Sequence, residues 1–205
     1  MKKIAIIGIT GRVGSRLANE LLDRGHHVTG IAREVDHVEP REHLTLAPAD
    51  ASSPDALVPL LRNHDVLISA TSFVGGANAA SLISAAKQAG VPRLLVVGGS
   101  ASLEVSPGQV QSDAPGFPEE YRAEANASRQ VLNGLRHEQS LDWGFFSPSN
   151  DFEPGRRTGK FRLGGDALIR DANGNSAISM EDYAVAMADE VESPKHSHQQ
   201  FTAGY

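Results

Sequence analysis

Close to its start the chain reads Ile4-Ala5-Ile6-Ile7-Gly8-Ile9-Thr10-Gly11-Arg12-Val13-Gly14, and two kinds of pattern meet there. Ile4 to Ile7 is a short, continuously apolar run, which is how a strand covered on both faces reads. Val13, Leu17 and Leu21 then recur at i, i+4 and i+8, the apolar stripe of a helix. Between them Gly8, Gly11 and Gly14 are spaced G-x-x-G-x-x-G. One glycine permits the tight turn, a second lets backbone approach a pyrophosphate, and a third lets helix and strand pack closely. The helix start adds free N–H groups and the positive end of its dipole. The spacing is not the G-x-G-x-x-G of the usual dinucleotide fingerprint. Its setting between strand and helix is what makes it informative. Gly8, Thr10, Gly11, Arg12, Val13 and Gly14 are therefore expected to hold a dinucleotide phosphate.

Further along, the same alternation repeats. Apolar runs at Val28–Ile31, Leu44–Leu46, Val66–Ile68 and Leu94–Val97 are separated by helical patterns. One helix opens at Ser53-Pro54, an N-cap followed by proline at N1, and another carries Ala79, Leu82, Ile83 and Ala86 on one face. A fourth follows Pro118, with Tyr121, Ala125, Ser128, Leu132 and Leu135 along one face. Trp143–Phe146 makes a sixth strand, and a last helix is capped by Ser179 with Asp182 at N3. Strand–helix alternation at this spacing predicts one α/β domain over residues 1–205, a Rossmann-type doubly wound parallel sheet of order 3-2-1-4-5-6. Gln200–Tyr205 has the composition of an extra C-terminal edge strand. Residues 98–117 and 147–178 resist assignment and leave the carboxyl ends of strands, where open α/β sheets place ligands.

Composition narrows the chemistry. The 205 residues contain no cysteine, so there is no disulfide, thiolate metal site or thiol nucleophile. A net charge of −6 disfavours nucleic-acid and anionic-membrane partners. Lys2 and Lys3 precede an apolar stretch too short for a signal peptide, and no run of 18 apolar residues occurs, so a cytoplasmic protein is expected. His196 and His198 lack a clustered third ligand, and no metal site is expected.

The end of the second strand selects between cofactors. NAD-binding folds place a carboxylate there for the ribose 2′-hydroxyl, whereas arginine accommodates a 2′-phosphate. Here Ala32 fills the acidic position and Arg33 follows, with Arg12 able to close on the same phosphate. NADP(H) is favoured, and NAD(H) stays open because a slip of register would bring Glu34 to the ribose. By the geometry of such sheets Asp50 and Ala51 lie beside the adenine. Ala70, Thr71 and Ser72 lie near the nicotinamide ribose, and Gly98 and Gly99 close to the nicotinamide. Pro148, after the sixth strand, completes the cofactor set.

An alcohol dehydrogenase of this kind needs a Tyr-x-x-x-Lys pair as proton donor and acceptor. Tyr121 is followed four places on by Ala125, Tyr183 by Met187, and Tyr205 stands at the end of the sequence, so no such pair exists. The Ile4–Gly14 segment with Gly25-His26-His27-Val28 resembles atypical short-chain dehydrogenases, the group with biliverdin-B-type reductases and nitrogen-regulator-like proteins. The second half is similar to bacterial NADH-flavin reductase-like proteins. The matching stretches are Ser102–Val105, Phe117–Tyr121, Leu141–Trp143, Pro154–Lys160, Ile178–Ala184 and Phe201–Tyr205. Gly144 departs from that pattern, where a threonine is expected. The resemblance implies hydride transfer from NAD(P)H to a flavin (FMN, FAD or riboflavin) or a similarly flat acceptor, with the flavin as substrate rather than a tightly bound group.

That reaction mainly needs ring placed on ring, with donors near the developing charge on the acceptor. Ser100 and Ser102 are the candidate catalytic donors. Arg156, Arg157, Lys160 and Arg162 suit either an acceptor's phosphate or neighbouring carboxylates. A non-catalytic redox sensor binding the same cofactor is the alternative reading, and a quinone or xenobiotic reductase a third. A monomer or homodimer is expected.

Overall fold

The computed structural model describes residues 1–205. In chain order the elements are β1 (Lys3–Ile7), α1 (Arg12–Asp23), β2 (His27–Ala32), β3 (Leu44–Pro48), α2 (Pro54–Leu61), β4 (Val66–Ser69), α3 (Ala79–Ala89) and β5 (Arg93–Val97). Then come β6 (Glu104–Ser106), β7 (Gln109–Val110), α4 (Arg122–Arg136), β8 (Asp142–Ser147), β9 (Asp151–Glu153), β10 (Arg162–Gly164), β11 (Ala177–Ser179), α5 (Met180–Glu192) and β12 (Gln199–Gly204). An eight-stranded sheet of order β10-β12-β8-β5-β4-β1-β2-β3 forms the centre. All its pairings are parallel except β10 with β12.

The continuously apolar strands are explained by two cores. Alternate residues of β1 enter opposite layers, Ile4 and Ile6 against α1 and α5, Ala5 and Ile7 against α2, α3 and α4. Trp143 and Phe145 of β8 face the second layer, while Phe146 stacks between Tyr183 and Phe201 in the first, with centroids 4.1 and 4.4 Å apart. No helix is long and apolar enough to cross a membrane.

The order 3-2-1-4-5-6 holds, the sixth strand being β8. The C-terminal segment differs from the expectation. β12 is not an edge but a buried parallel neighbour of β8, and the short antiparallel β10 forms the edge beyond it. Residues 98–117 and 147–178 are not loops throughout. The first holds the β6–β7 hairpin, the second holds β9, β10 and β11, and the two meet where Glu104 exchanges backbone hydrogen bonds with Asp166 and Leu168. Tyr121 is 61% exposed and precedes α4, whose buried face is Ala125, Ser128, Val131, Leu132 and Leu135. Ser179 caps α5 as expected, accepting from the Asp182 N–H at 3.0 Å. Ser53 occupies its cap position without a side-chain bond.

Candidate functional site

Four sheet strands, β1 to β4, leave their carboxyl ends around a cleft of about 680 Å³ at the switch point between β1 and β4. The volume lies within the range of small-molecule and cofactor sites. Gly8, at the end of β1, is what opens it. Its φ of +88° suits only glycine, and a Cβ there would stand 2.5 Å from the Ala70 carbonyl oxygen. At Gly14 a Cβ would collide with the Gly8 backbone, so α1 packs directly on the turn. α1 begins after Gly11 with no side-chain cap and no acidic residue in its first turn. Its leading N–H groups and positive dipole end are thus unopposed at the cleft, which is the donor set a pyrophosphate requires.

Most of the expected residues meet there. Gly8, Thr10, Gly11, Arg33, Asp50, Ala51, Ala70, Thr71 and Ser72 all line the cleft. Arg33 and Asp50 stand on the β2–β3 side. The carboxyl of Asp50 is held below its ordinary range by the amide and hydroxyl of Ser52, with a smaller contribution from the charge of Arg33. Glu34 lines the cleft beside Arg33. Val13 packs against the first core, and Gly14 supports the turn from behind.

Other expected residues lie elsewhere. The Arg12 side chain leaves the cleft for an exposed ion pair with Glu153 of β9. Gly98, Gly99, Ser100 and Pro148 sit at the ends of β5 and β8, beyond the cleft wall. Ser102 is 5% exposed, donating to the Gly99 carbonyl at 3.2 Å and accepting from Gln200 at 2.8 Å, so its hydroxyl is committed to the fold. The basic run disperses. Arg157 makes a two-pronged pair with Glu20 of α1 at 2.8 Å, and Arg162 caps the carbonyls of Arg170 and Tyr205. These arginines brace the chain rather than gather at one site.

None of the tyrosines offers a proton donor at the cleft. Tyr183 is fully buried, its hydroxyl donates to the Phe146 carbonyl at 2.7 Å, and burial pushes its pKa well above the ordinary phenol value. Tyr205 donates to Asp182 at 2.8 Å. Sequence reasoning missed the connection after β4, where Val74, Gly75 and Gly76 form a wall of the cleft, and it missed His37 on the opposite side. The Gly75-Gly76 pair just after a strand end was the available signal.

Similarity to known proteins bears on the same site. A family model described as NAD(P)H-binding matches residues 8–194. The chain is 35% identical to the Bacillus subtilis protein YwnB over 98% of this chain and 97% of that one. Among solved structures, a "putative epimerase" from Bacteroides thetaiotaomicron is 43% identical, with a TM-score of 0.94 over 100% of this chain and 97% of that one. A "putative NADH-flavin reductase" from Streptococcus pneumoniae is 30% identical, with a TM-score of 0.87 over 100% and 99%.

Proposed function

The chain belongs to the NAD(P)H-binding family, and from that premise we propose that it is an NAD(P)H-dependent reductase delivering hydride to a flavin or similarly flat acceptor. The observation that carries the reading is the cleft itself. It pairs a glycine-lined, uncapped helix start with walls that present no tyrosine–lysine acid–base pair. Such a site can bind and orient, and an acceptor that spreads negative charge over its own ring system needs no strong protein acid. The solved relative named for NADH-flavin reduction supports the same choice.

When bound, the dinucleotide supplies the hydride. The chain's residues supply position. N–H groups at the start of α1 hold the pyrophosphate. Arg33 takes the 2′-phosphate, which favours NADP(H) over NAD(H). Ala70, Thr71 and Ser72 would seat the ribose on the far side, and an acceptor reaching past the cleft to the end of β5 would meet the Ser100 hydroxyl and neighbouring amides. Ser102 supports that loop through Gln200 rather than acting directly. We place the protein in the cytoplasm, as a monomer or homodimer.

Turnover of NADPH with excess riboflavin, FMN, quinones and azo dyes, followed at the reduced-nicotinamide absorbance, tests the reading. Consumption above blank with at least one flavin is expected. A panel with no turnover overturns the reductase assignment.

A further inference from the structure

The wall formed by residues 72–76 is held by a residue that does not line the cleft. Glu124, in the first turn of α4, is half-buried, and its carboxylate accepts hydrogen bonds from three donors of that segment. The Phe73 N–H donates at 2.6 Å, the Val74 N–H at 3.0 Å, and the Ser72 hydroxyl reaches both oxygens at 3.0 Å. Two successive amides and a hydroxyl converging on one carboxylate fix the backbone direction of the whole segment. On its other side the segment is anchored by Phe73, whose ring stacks on Phe145 with centroids 6.1 Å apart. Ser72, Val74, Gly75 and Gly76 then face the cleft, and Val74 is 55% exposed there.

Position in the sheet says which part of a dinucleotide this wall serves. Arg33 and Asp50 stand after β2 and β3, on the adenosine side. Residues 72–76 follow β4, on the opposite side of the glycine turn. Freed from Glu124, a glycine-containing segment has to be ordered when the nucleotide arrives, and that cost falls on affinity. Only ligands that reach this wall meet it.

Resting on the reading that the cleft holds NAD(P)H, we propose that Glu124 is a positioning residue for the nicotinamide half of the cofactor. It acts through the Ser72–Gly76 wall and leaves the adenosine half untouched.

The test compares two probes, NADPH and adenosine 2′,5′-bisphosphate, titrated by calorimetry into the intact wild-type, Glu124→Ala and Glu124→Gln proteins. Glu124→Ala is expected to weaken NADPH about tenfold, the scale of losing charged hydrogen bonds that preorder a site. The bisphosphate, which stops short of the wall, should change less than about twofold. Glu124→Gln keeps one carbonyl acceptor, so its NADPH affinity should fall between the other two. If Glu124→Ala fails to fold, the Gln variant carries the comparison, with NADPH alone weakened. Equal weakening of both probes, or of neither, overturns the proposal. A wild-type protein that binds neither probe overturns the cofactor reading, and the proposal with it.

Discussion

Replacing Gly8 with alanine should damage fold and cofactor binding together, by an amount the geometry sets. The residue has φ +88°, where an L-residue costs about 1–2 kcal/mol. The added Cβ would stand 2.5 Å from the Ala70 oxygen and 2.8 Å from its carbonyl carbon. Both are backbone atoms, so neither can rotate away. Restoring ordinary contact moves the ends of β1 and β4 apart by roughly 1 Å, and such overpacking costs about 1–3 kcal/mol. Together these predict a loss of about 3 kcal/mol, or roughly 6–12 °C in Tm for a chain of this size. A shift of about 1 Å also carries an amide from hydrogen-bonding distance of a phosphate oxygen to beyond it. The assay is thermal unfolding with and without NADPH, for wild type, Gly8→Ala and Gly165→Ala. Gly165 has open space around its missing Cβ and no positive φ, so its variant should unfold within a degree or two of wild type and keep the NADPH-induced rise. Gly8→Ala should unfold earlier and lose that rise. A Gly8→Ala protein with wild-type Tm and full NADPH stabilisation would refute the reasoning from the turn.

Three further outcomes follow from named contacts. Arg33→Ala should weaken NADPH about tenfold and NADH less than about twofold in parallel titrations, since only NADPH carries the 2′-phosphate proposed to pair with that arginine; equal losses would remove Arg33 from that role. Arg93, 5% exposed, joins Asp142, Glu190 and the His196 carbonyl at the opposite end of the sheet, so Arg93→Ala should cost about 3–5 kcal/mol in denaturant unfolding by leaving Glu190 short of its cation. Acid sensitivity should centre on Asp182. Burial works to raise its pKa, but hydrogen bonds from Thr158, Gly159 and Tyr205 outweigh it, and the net direction is down. A carboxylate depressed in the folded state stabilises above its unfolded value of about 4, and that stability is lost as pH falls through the folded value. Tm measured from pH 6 to pH 3 should therefore drop steeply below about pH 4, and less steeply in Asp182→Asn.

The fold was legible where local pattern and tertiary role agree. Continuous apolar runs such as Ile4–Ile7 are buried on two faces, and that alone implies a covered parallel sheet. The strand-to-helix glycine turn located the cleft. Arg33 and Asp50 came from the topology of such sheets rather than from any motif. What the sequence hid was set by long-range contact. Gln200–Tyr205 reads as an edge because nothing local announces β10, three residues that pair with it across 40 positions of chain. Arg12 reads as a phosphate ligand until Glu153, 141 residues away, claims it. Ser102 reads as a loop hydroxyl until Gln200, 98 residues on, accounts for its burial. Glu124 was silent for the same reason, since its partners lie about 50 residues upstream.

The glycine turn and the ends of β1, β2, β3 and β4 are proposed here as the NAD(P)H site. A crystal structure of the protein grown with NADPH tests it most directly. The pyrophosphate should lie against the N–H groups at the start of α1, the 2′-phosphate at Arg33 and the nicotinamide beyond Ser72. Nucleotide density absent at saturating NADPH, or lying anywhere other than this cleft, would contradict it.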